Sequence, residues 1–265
     1  MTTTPEPIRF NDGAAYERYM GVWSQCVGDS FLRWLAPQPG LRWLDVGCGN
    51  GAFTEMLIEK CSPASVHGID PADGQLAFAR TRASLKAAQL LKGDAMALPF
   101  PADHFDAAVM PLVIFFVPEP ARGVAEMARV VGAGGIVAAY TWDMLGGGFP
   151  YATLQAEMKA LGVIPLAPPR PEASALSAMR ELWIGAGLDS VATQEIAVER
   201  TFANLEDYWA TVLGGPSTGA KLAALPPEMV EALKSRLRTV LPADASGRIT
   251  CRARANAVSG RVRAG

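Results

Sequence analysis

The stretch Leu41-Arg42-Trp43-Leu44-Asp45-Val46-Gly47-Cys48-Gly49-Asn50-Gly51 decides how the rest of the chain reads. An apolar run enters it, and glycines leave it at alternate positions, 47, 49 and 51. Phe53, Met56 and Leu57 follow at the spacing of one helical face. A strand that breaks into a glycine turn and then a helix brings backbone close to a ligand. Glycine tolerates positive φ and has no Cβ to hold the ligand away. The helix behind the turn offers unpaired N–H groups. The stretch therefore predicts a nucleotide-like cofactor at Gly47 to Gly51.

On the amino-terminal side, Tyr16, Met20, Trp23, Val27, Phe31 and Leu35 fall in steps of three and four. They predict a helix over 13–35, ended by Pro37, Pro39 and Gly40. It either packs on the core or caps the cofactor with Tyr16, Tyr19 or Trp23. Gly21 and Ser24 are candidate breaks. On the carboxyl side, strands are predicted at 65–70, 87–91, 105–110 and 136–142, with helices at 73–83 and 118–131 between them. That alternation means βαβ units and a parallel sheet with right-handed crossovers. In such a sheet the ligand lies outside the carboxyl ends of the strands. Beyond Trp142, Gly146-Gly147-Gly148 reads as flexible, and four prolines fall between 165 and 171. Helices at 173–186, 205–213 and 227–240, a strand at 190–200 and an alternating strand at 248–258 complete the pattern.

Composition narrows the class. With 265 residues, half of them hydrophobic, the chain can bury a large core as one domain over 1–265. A net charge of −2 and a charged fraction of 19% argue against a nucleic-acid partner. Arg248, Arg252, Arg254, Arg261 and Arg263 read as the solvated face of a strand plus a loose tail, in preference to an interaction arm. The four cysteines form no C-x-x-C pair and only two histidines occur, so no metal is expected. The polar residues 1–12 do not read as a signal peptide, and no apolar run is long enough to span a membrane. A soluble, cytoplasmic setting with free thiols is expected.

Two cofactors compete for the glycine turn. Gly47, Gly49 and Ala52 satisfy the G-x-G-x-x-A form of the dinucleotide fingerprint, and Asp70 stands where its ribose acid belongs. An NAD-dependent oxidoreductase is the reading that follows. Against it, Asp45 sits two residues ahead of Gly47, where a carboxylate suits a cationic group and repels a pyrophosphate. The 47, 49, 51 spacing opens the loop more than a phosphate cradle needs. Gly93-Asp94-Ala95 puts a second acid at the end of the third strand, within the reach of an adenine amino group. No basic cluster for phosphates accompanies the later strands.

The motifs Leu44 to Gly51, Gly68-Ile69-Asp70-Pro71, Gly93-Asp94-Ala95, Phe105-Asp106 and Arg129 to Gly135 occur in order. Together they resemble class I S-adenosylmethionine-dependent methyltransferases, and within them the small-molecule group called type 11. The resemblance implies a Rossmann-like, doubly wound α/β sheet of seven strands, order 3-2-1-4-5-7-6, the last strand antiparallel. It implies an N-terminal lid helix at 13–36, a cofactor-binding core at 41–142, and a helical insertion at 204–241 that caps the substrate. S-adenosylmethionine is the implied cofactor and S-adenosylhomocysteine its product. By the same resemblance Asp45 meets the methionine ammonium, and Gly47, Cys48, Gly49 and Gly51 line its backbone. Asp70 takes the ribose hydroxyls and Pro71 packs by the adenine. Asp94, Ala95 and Met96 flank the adenine, Met110 and Pro111 close the pocket, and Tyr16 and Trp23 belong to the lid. Ala133 stands where relatives usually carry proline. Val22 precedes Trp23-Ser24 where relatives tend to carry a basic residue.

The acceptor is expected to be a small molecule. Tyr19, Phe115, Phe116, Trp142 and Trp209 are the candidates for its pocket, and their apolar character suits a small organic compound. Asp143, just past the fifth strand, is the candidate general base; capping the glycine-rich loop is its other reading. His67 reads as a core or sheet-surface residue, and His104 lies at the wrong end of the sheet. A homologue that binds the cofactor without transferring methyl is the remaining alternative. Monomer and homodimer both stay open.

Overall fold

The computed structural model describes residues 17–216 and 218–264. Its sheet has seven strands in the order β3-β2-β1-β4-β5-β7-β6. They are β1 (Arg42–Val46), β2 (Ser65–Asp70), β3 (Gln89–Lys92), β4 (Phe105–Pro111), β5 (Val131–Trp142), β6 (Asp189–Phe202) and β7 (Ile249–Arg261). The first five pair in parallel, and β7 runs antiparallel between β5 and β6. The expected topology is the one observed. The reversal of strand order between β1 and β4 puts a crevice at the carboxyl end of β1, immediately before Gly47.

Side-chain alternation divides the core between the two sheet faces. On one face Trp43, Ala107, Val109, Ala138, Tyr140 and Trp142 pack with α1 (Val22–Leu35) and α2 (Ala52–Cys61). On the other, Leu44, Val46, Ala108, Met110, Val137 and Ala139 pack under α4 (Pro120–Val130) and α6 (Leu176–Gly185). Between them in sequence come α3 (Asp73–Ala79), behind β2, and α5 (Ala152–Ala160). The insertion before β7 holds α7 (Leu205–Leu213), α8 (Thr218–Ala223) and α9 (Pro227–Val240). Asn204 caps α7, its side-chain oxygen accepting from the Asp207 N–H at 3.0 Å.

Several local expectations shift. The helix expected over 13–35 begins, among the described residues, as a π-turn, Glu17–Gly21, and becomes α-helical at Val22. The helix expected to reach Ala83 ends at Ala79, and a 3-10 turn, Ala83–Ala87, delays β3 to Gln89. The helices α5 and α8 carry too short an apolar pattern to have been read. The basic carboxyl-terminal stretch is a strand to Arg261, and its arginines are paired: Arg252 with Glu199 at 2.7 Å and Arg263 with Asp189 at 2.9 Å. Gly146-Gly147-Gly148 is no flexible linker. A Cβ on Gly148 would lie 2.4 Å from the Arg254 carbonyl oxygen, so this segment lies against β7 at a distance only glycine permits.

Trp23 anchors α1. It is fully buried, its indole N–H donates to the Tyr151 hydroxyl at 3.2 Å, and its ring meets Trp142 and Tyr151 edge-on. Trp23→Ala is expected to destabilise the fold by about 3–5 kcal/mol in urea unfolding, the cost of a large buried cavity.

Candidate functional site

The turn after β1 is tied to β2. The N–H groups of Gly47 and Cys48 both donate to the Ile69 carbonyl, at 2.7 and 3.0 Å. Gly47 has φ 76°, and a Cβ there would lie 2.4 Å from Val113 Cγ2. Gly51 has φ 81°, and a Cβ there would lie 2.3 Å from Leu85 Cδ1. Both backbone conformation and available space therefore demand glycine at these two positions.

Over this turn lies a cavity of ≈ 180 Å³. Of the residues expected at a cofactor, Asp45, Gly47, Cys48, Gly49, Asp70, Pro71 and Pro111 line it. Gly51 does not; it starts α2 and its N–H closes the turn on the Cys48 carbonyl at 2.9 Å. Trp23 is also absent, because its side of α1 is turned to the aromatic core, and Ser24 lines the cavity in its place. Met110 points to the opposite face of β4, one residue out of phase with Pro111. Asp94, Ala95 and Met96 form a turn beyond β3, where the exposed Asp94 accepts from the Met96 N–H at 2.8 Å; none of the three lines the cavity. Tyr16 lies outside the described residues. Gln75, Asn50, Phe53, Leu112 and Val113 line the cavity without having been singled out. Gln75 lies in the first turn of α3, five residues after Asp70, and no periodicity in the sequence marks it.

The polar groups of the cavity are acceptors in want of donors. Asp45 is fully buried, and its Oδ2 accepts from the Thr54 hydroxyl at 2.7 Å. Its Oδ1 has no hydrogen-bond partner among the described residues, and neither does Gln75 Oε1. Burial pushes the Asp45 carboxyl up to about 7; the Thr54 hydroxyl opposes this and the Asp70 charge adds to it. Asp70 accepts from the Gly49 N–H at 2.9 Å through one oxygen and from the Ala72 N–H at 2.8 Å through the other. Burial raises its pKa against those two bonds. Asp70 thus fixes its own turn and lines the cavity as well. Burial, with the Asp45 and Asp70 charges, also holds the Cys48 thiol well above its usual value.

A second cavity, of ≈ 70 Å³, adjoins the first, sharing Leu112 and Phe116 with it. Of the acceptor-pocket candidates, Tyr19, Phe115, Phe116 and Trp142 line it, together with Met144, Phe149 and Gln155. Trp209 does not: it is buried in the insertion, with the Lys234 ammonium 5.2 Å from its ring centre. Pro216 and Thr218, from the same insertion, do reach this chamber.

The family model described as "Methyltransferase domain" matches residues 44–139. The 2-methyl-6-phytyl-1,4-hydroquinone methyltransferase 2 of Oryza sativa subsp. japonica is 40% identical over 96 residues, covering 36% of this chain and 28% of that enzyme. Over residues 44–139 the chain is thus similar to the methyltransferase-domain family. The demethylmenaquinone methyltransferase of Staphylococcus aureus is 32% identical over 131 residues, 49% of this chain and 52% of that enzyme. These matches span 28% to 52% of the curated relatives' length. Among solved structures, phosphoethanolamine N-methyltransferase 2 of Haemonchus contortus, in complex with S-adenosyl-L-methionine, aligns with a TM-score of 0.56 at 17% identity. That alignment covers 97% of this chain and 61% of that one, a likeness of fold.

Both oxygens of Asp143 are already engaged. One oxygen accepts from the Gly146 N–H at 2.9 Å, and the other pairs with the Arg254 guanidinium. The capping reading is the observed one, reinforced by the ion pair with Arg254. His67 packs among Phe100, His104 and Phe105, at the far end of the sheet from the cavities. Among the described residues no cluster of His, Cys, Asp or Glu could hold a metal ion, and no helix is long and apolar enough to cross a membrane.

Asp45 makes the stability of the cofactor-free protein depend on pH. Its folded pKa, about 7, stands above its ordinary 3.8. The protonated form is thus favoured by folding: its contribution is complete below about pH 4 and is lost as pH rises through 7. Asp45→Asn keeps an acceptor for Thr54 and removes the charge. Its melting temperature is expected to equal the parent's near pH 3 and to exceed it at pH 8, as scanning calorimetry at the two pH values would show.

Proposed function

We propose that the protein binds S-adenosylmethionine in the larger cavity and transfers its methyl group to a small, largely uncharged organic acceptor in the adjoining chamber. One observation carries the reading: the buried, unpartnered Asp45 oxygen faces a glycine turn in a cavity that also holds Asp70. An ammonium supplies the donors and the positive charge that this carboxylate lacks. The N–H groups of a phosphate cradle would need an anion, which Asp45 repels. The residues present therefore fit the cofactor. Asp45 would hold its amino-acid end and Asp70 its ribose, each remaining lone pair of Asp70 taking a hydroxyl. Pro71 and Val113 would flank the rest.

When bound, the cofactor supplies a methyl group on a sulfonium, open to in-line displacement. The chain's part is alignment and exclusion of water. Leu112 and Phe116, common to both cavities, form the partition across which donor and acceptor would meet. The chamber is walled by aromatic and aliphatic side chains, with Gln155 and Thr218 as its polar points. Trp142 lines it, and its indole N–H has no hydrogen-bond partner among the described residues, which favours an acceptor bearing oxygen. The hydroquinone and menaquinone named for the relatives above have this character: planar, apolar and oxygenated. Deprotonation by Asp143 has no part in this reading. The four cysteines are free thiols, in keeping with a reducing, cytoplasmic setting.

A carboxylate that accepts two hydroxyl bonds gains about 1.5–3 kcal/mol from each. Asp70→Ala is therefore expected to weaken S-adenosylmethionine at least roughly tenfold in titration calorimetry. Unchanged affinity would remove Asp70 from the site. Stabilisation of the parent protein by NADH alone would overturn the cofactor assignment. Methyl release onto a panel of hydroquinones, phenols and amines then identifies the acceptor atom.

A further inference from the structure

Arg82 lies outside both cavities, in the turn between α3 and the 3-10 segment before β3. Its guanidinium is nonetheless used on all sides. Nη2 donates to Glu17 Oε2 at 2.7 Å, Nη1 to Glu55 Oε2 at 2.7 Å, and Nε to the Asn50 carbonyl oxygen at 2.8 Å. Asn50 closes the loop of contacts, its side-chain amide donating to the same Glu17 oxygen at 2.7 Å. Ser84 donates to the other oxygen of Glu55. The side chain of Arg82 is 16% exposed and its partners are 29% and 27% exposed, so water screens the pairs only in part.

These contacts join three pieces that must stay in register for a cofactor to be held. Glu17 opens the π-turn that leads through Tyr19 and Met20 of the acceptor chamber to Ser24 of the cofactor cavity. Asn50 belongs to the glycine turn and lines the cavity itself. Glu55 is on the first turn of α2. The far side of the π-turn is fastened separately, where the Tyr151 hydroxyl donates to the Tyr19 carbonyl oxygen at 2.6 Å. At Glu17 the fastening is polar, from Arg82 and the Asn50 amide, and such contacts can open without breaking the apolar core.

We infer that Arg82 is a positioning residue for the cofactor: with Glu17 and Asn50 it latches the amino-terminal lid onto the glycine turn, and the latch must open for cofactor exchange. The inference rests on the cofactor reading above. A lysine cannot replace the fork, since one ammonium does not reach three acceptors in fixed directions.

The test uses the full chain, S-adenosylhomocysteine as probe, and rapid-mixing tryptophan fluorescence. Amide hydrogen exchange on the cofactor-free protein gives a second reading. Glu17→Gln and Arg82→Lys are each expected to speed dissociation on the order of tenfold and to leave association within about twofold. Exchange over residues 17–35 rises in both. Raising ionic strength speeds release from the parent and not from Glu17→Gln, a response that a merely structural role would not produce. Parental dissociation rates in both variants overturn the latch. If the parent binds no S-adenosylhomocysteine, the cofactor reading falls instead. Exchange then decides the tie: faster exchange over 17–35 in both variants supports it, and parental exchange overturns it.

Discussion

At the carboxyl end of the central strand a carboxylate is buried completely with a single hydrogen bond, from Thr54. That arrangement opposes folding, and burial accordingly lifts its pKa to about 7. The surrounding structure has to hold it there regardless. Strand β1 is central and paired on both sides, to β2 and to β4, so the backbone at Asp45 cannot slip. The glycine turn just beyond is fixed by two N–H groups on one carbonyl of β2. A cation at this carboxylate would meet an acceptor already placed and buried. The cost of burying the charge would then favour a ligand that carries the opposite one.

The same logic separates the two acids of the cavity. Asp70 has a backbone donor on each oxygen and holds its turn whether or not a ligand is present. Asp45 has one oxygen without any donor. One is a preformed ledge and the other an unmet demand. The difference cannot be seen from residue type, because both are aspartates at strand ends. It follows from depth: Asp70 opens a turn whose N–H groups are at hand, whereas Asp45 lies inside a strand whose N–H groups belong to the sheet.

The topology and the glycine turn were legible because each depends on local chemistry. Period-two apolar strands, glycine at the positions of positive φ and acids at strand ends are all short-range signals. Met110 was misplaced by a single residue of strand parity. Trp23 was misplaced because a helical face says which residues are buried and not against what. Asp94 falls in a turn that the cavity does not reach. The glycine triplet at 146–148 reads as freedom in sequence, yet in the fold it is a close approach to β7 that Arg254 and Asp143 complete. Nothing within the triplet could reveal this, since the partner lies more than a hundred residues away.

The second chamber is assembled by tertiary contacts alone. Its walls come from the π-turn, the loop after β4, the end of β5, Phe149 and Gln155, the segment around Leu166 and Pro168, and the insertion at Pro216 and Thr218. Each contributes a few residues whose local pattern is that of ordinary core. Only the meeting of these distant segments makes them a cavity. The donor side needs fixed charges at fixed places, which leave a trace in sequence. The acceptor side needs shape and dryness, which any hydrophobic residue of suitable size supplies. A fold built this way can exchange acceptors by altering its walls while Asp45, Asp70 and the glycine turn stay as they are.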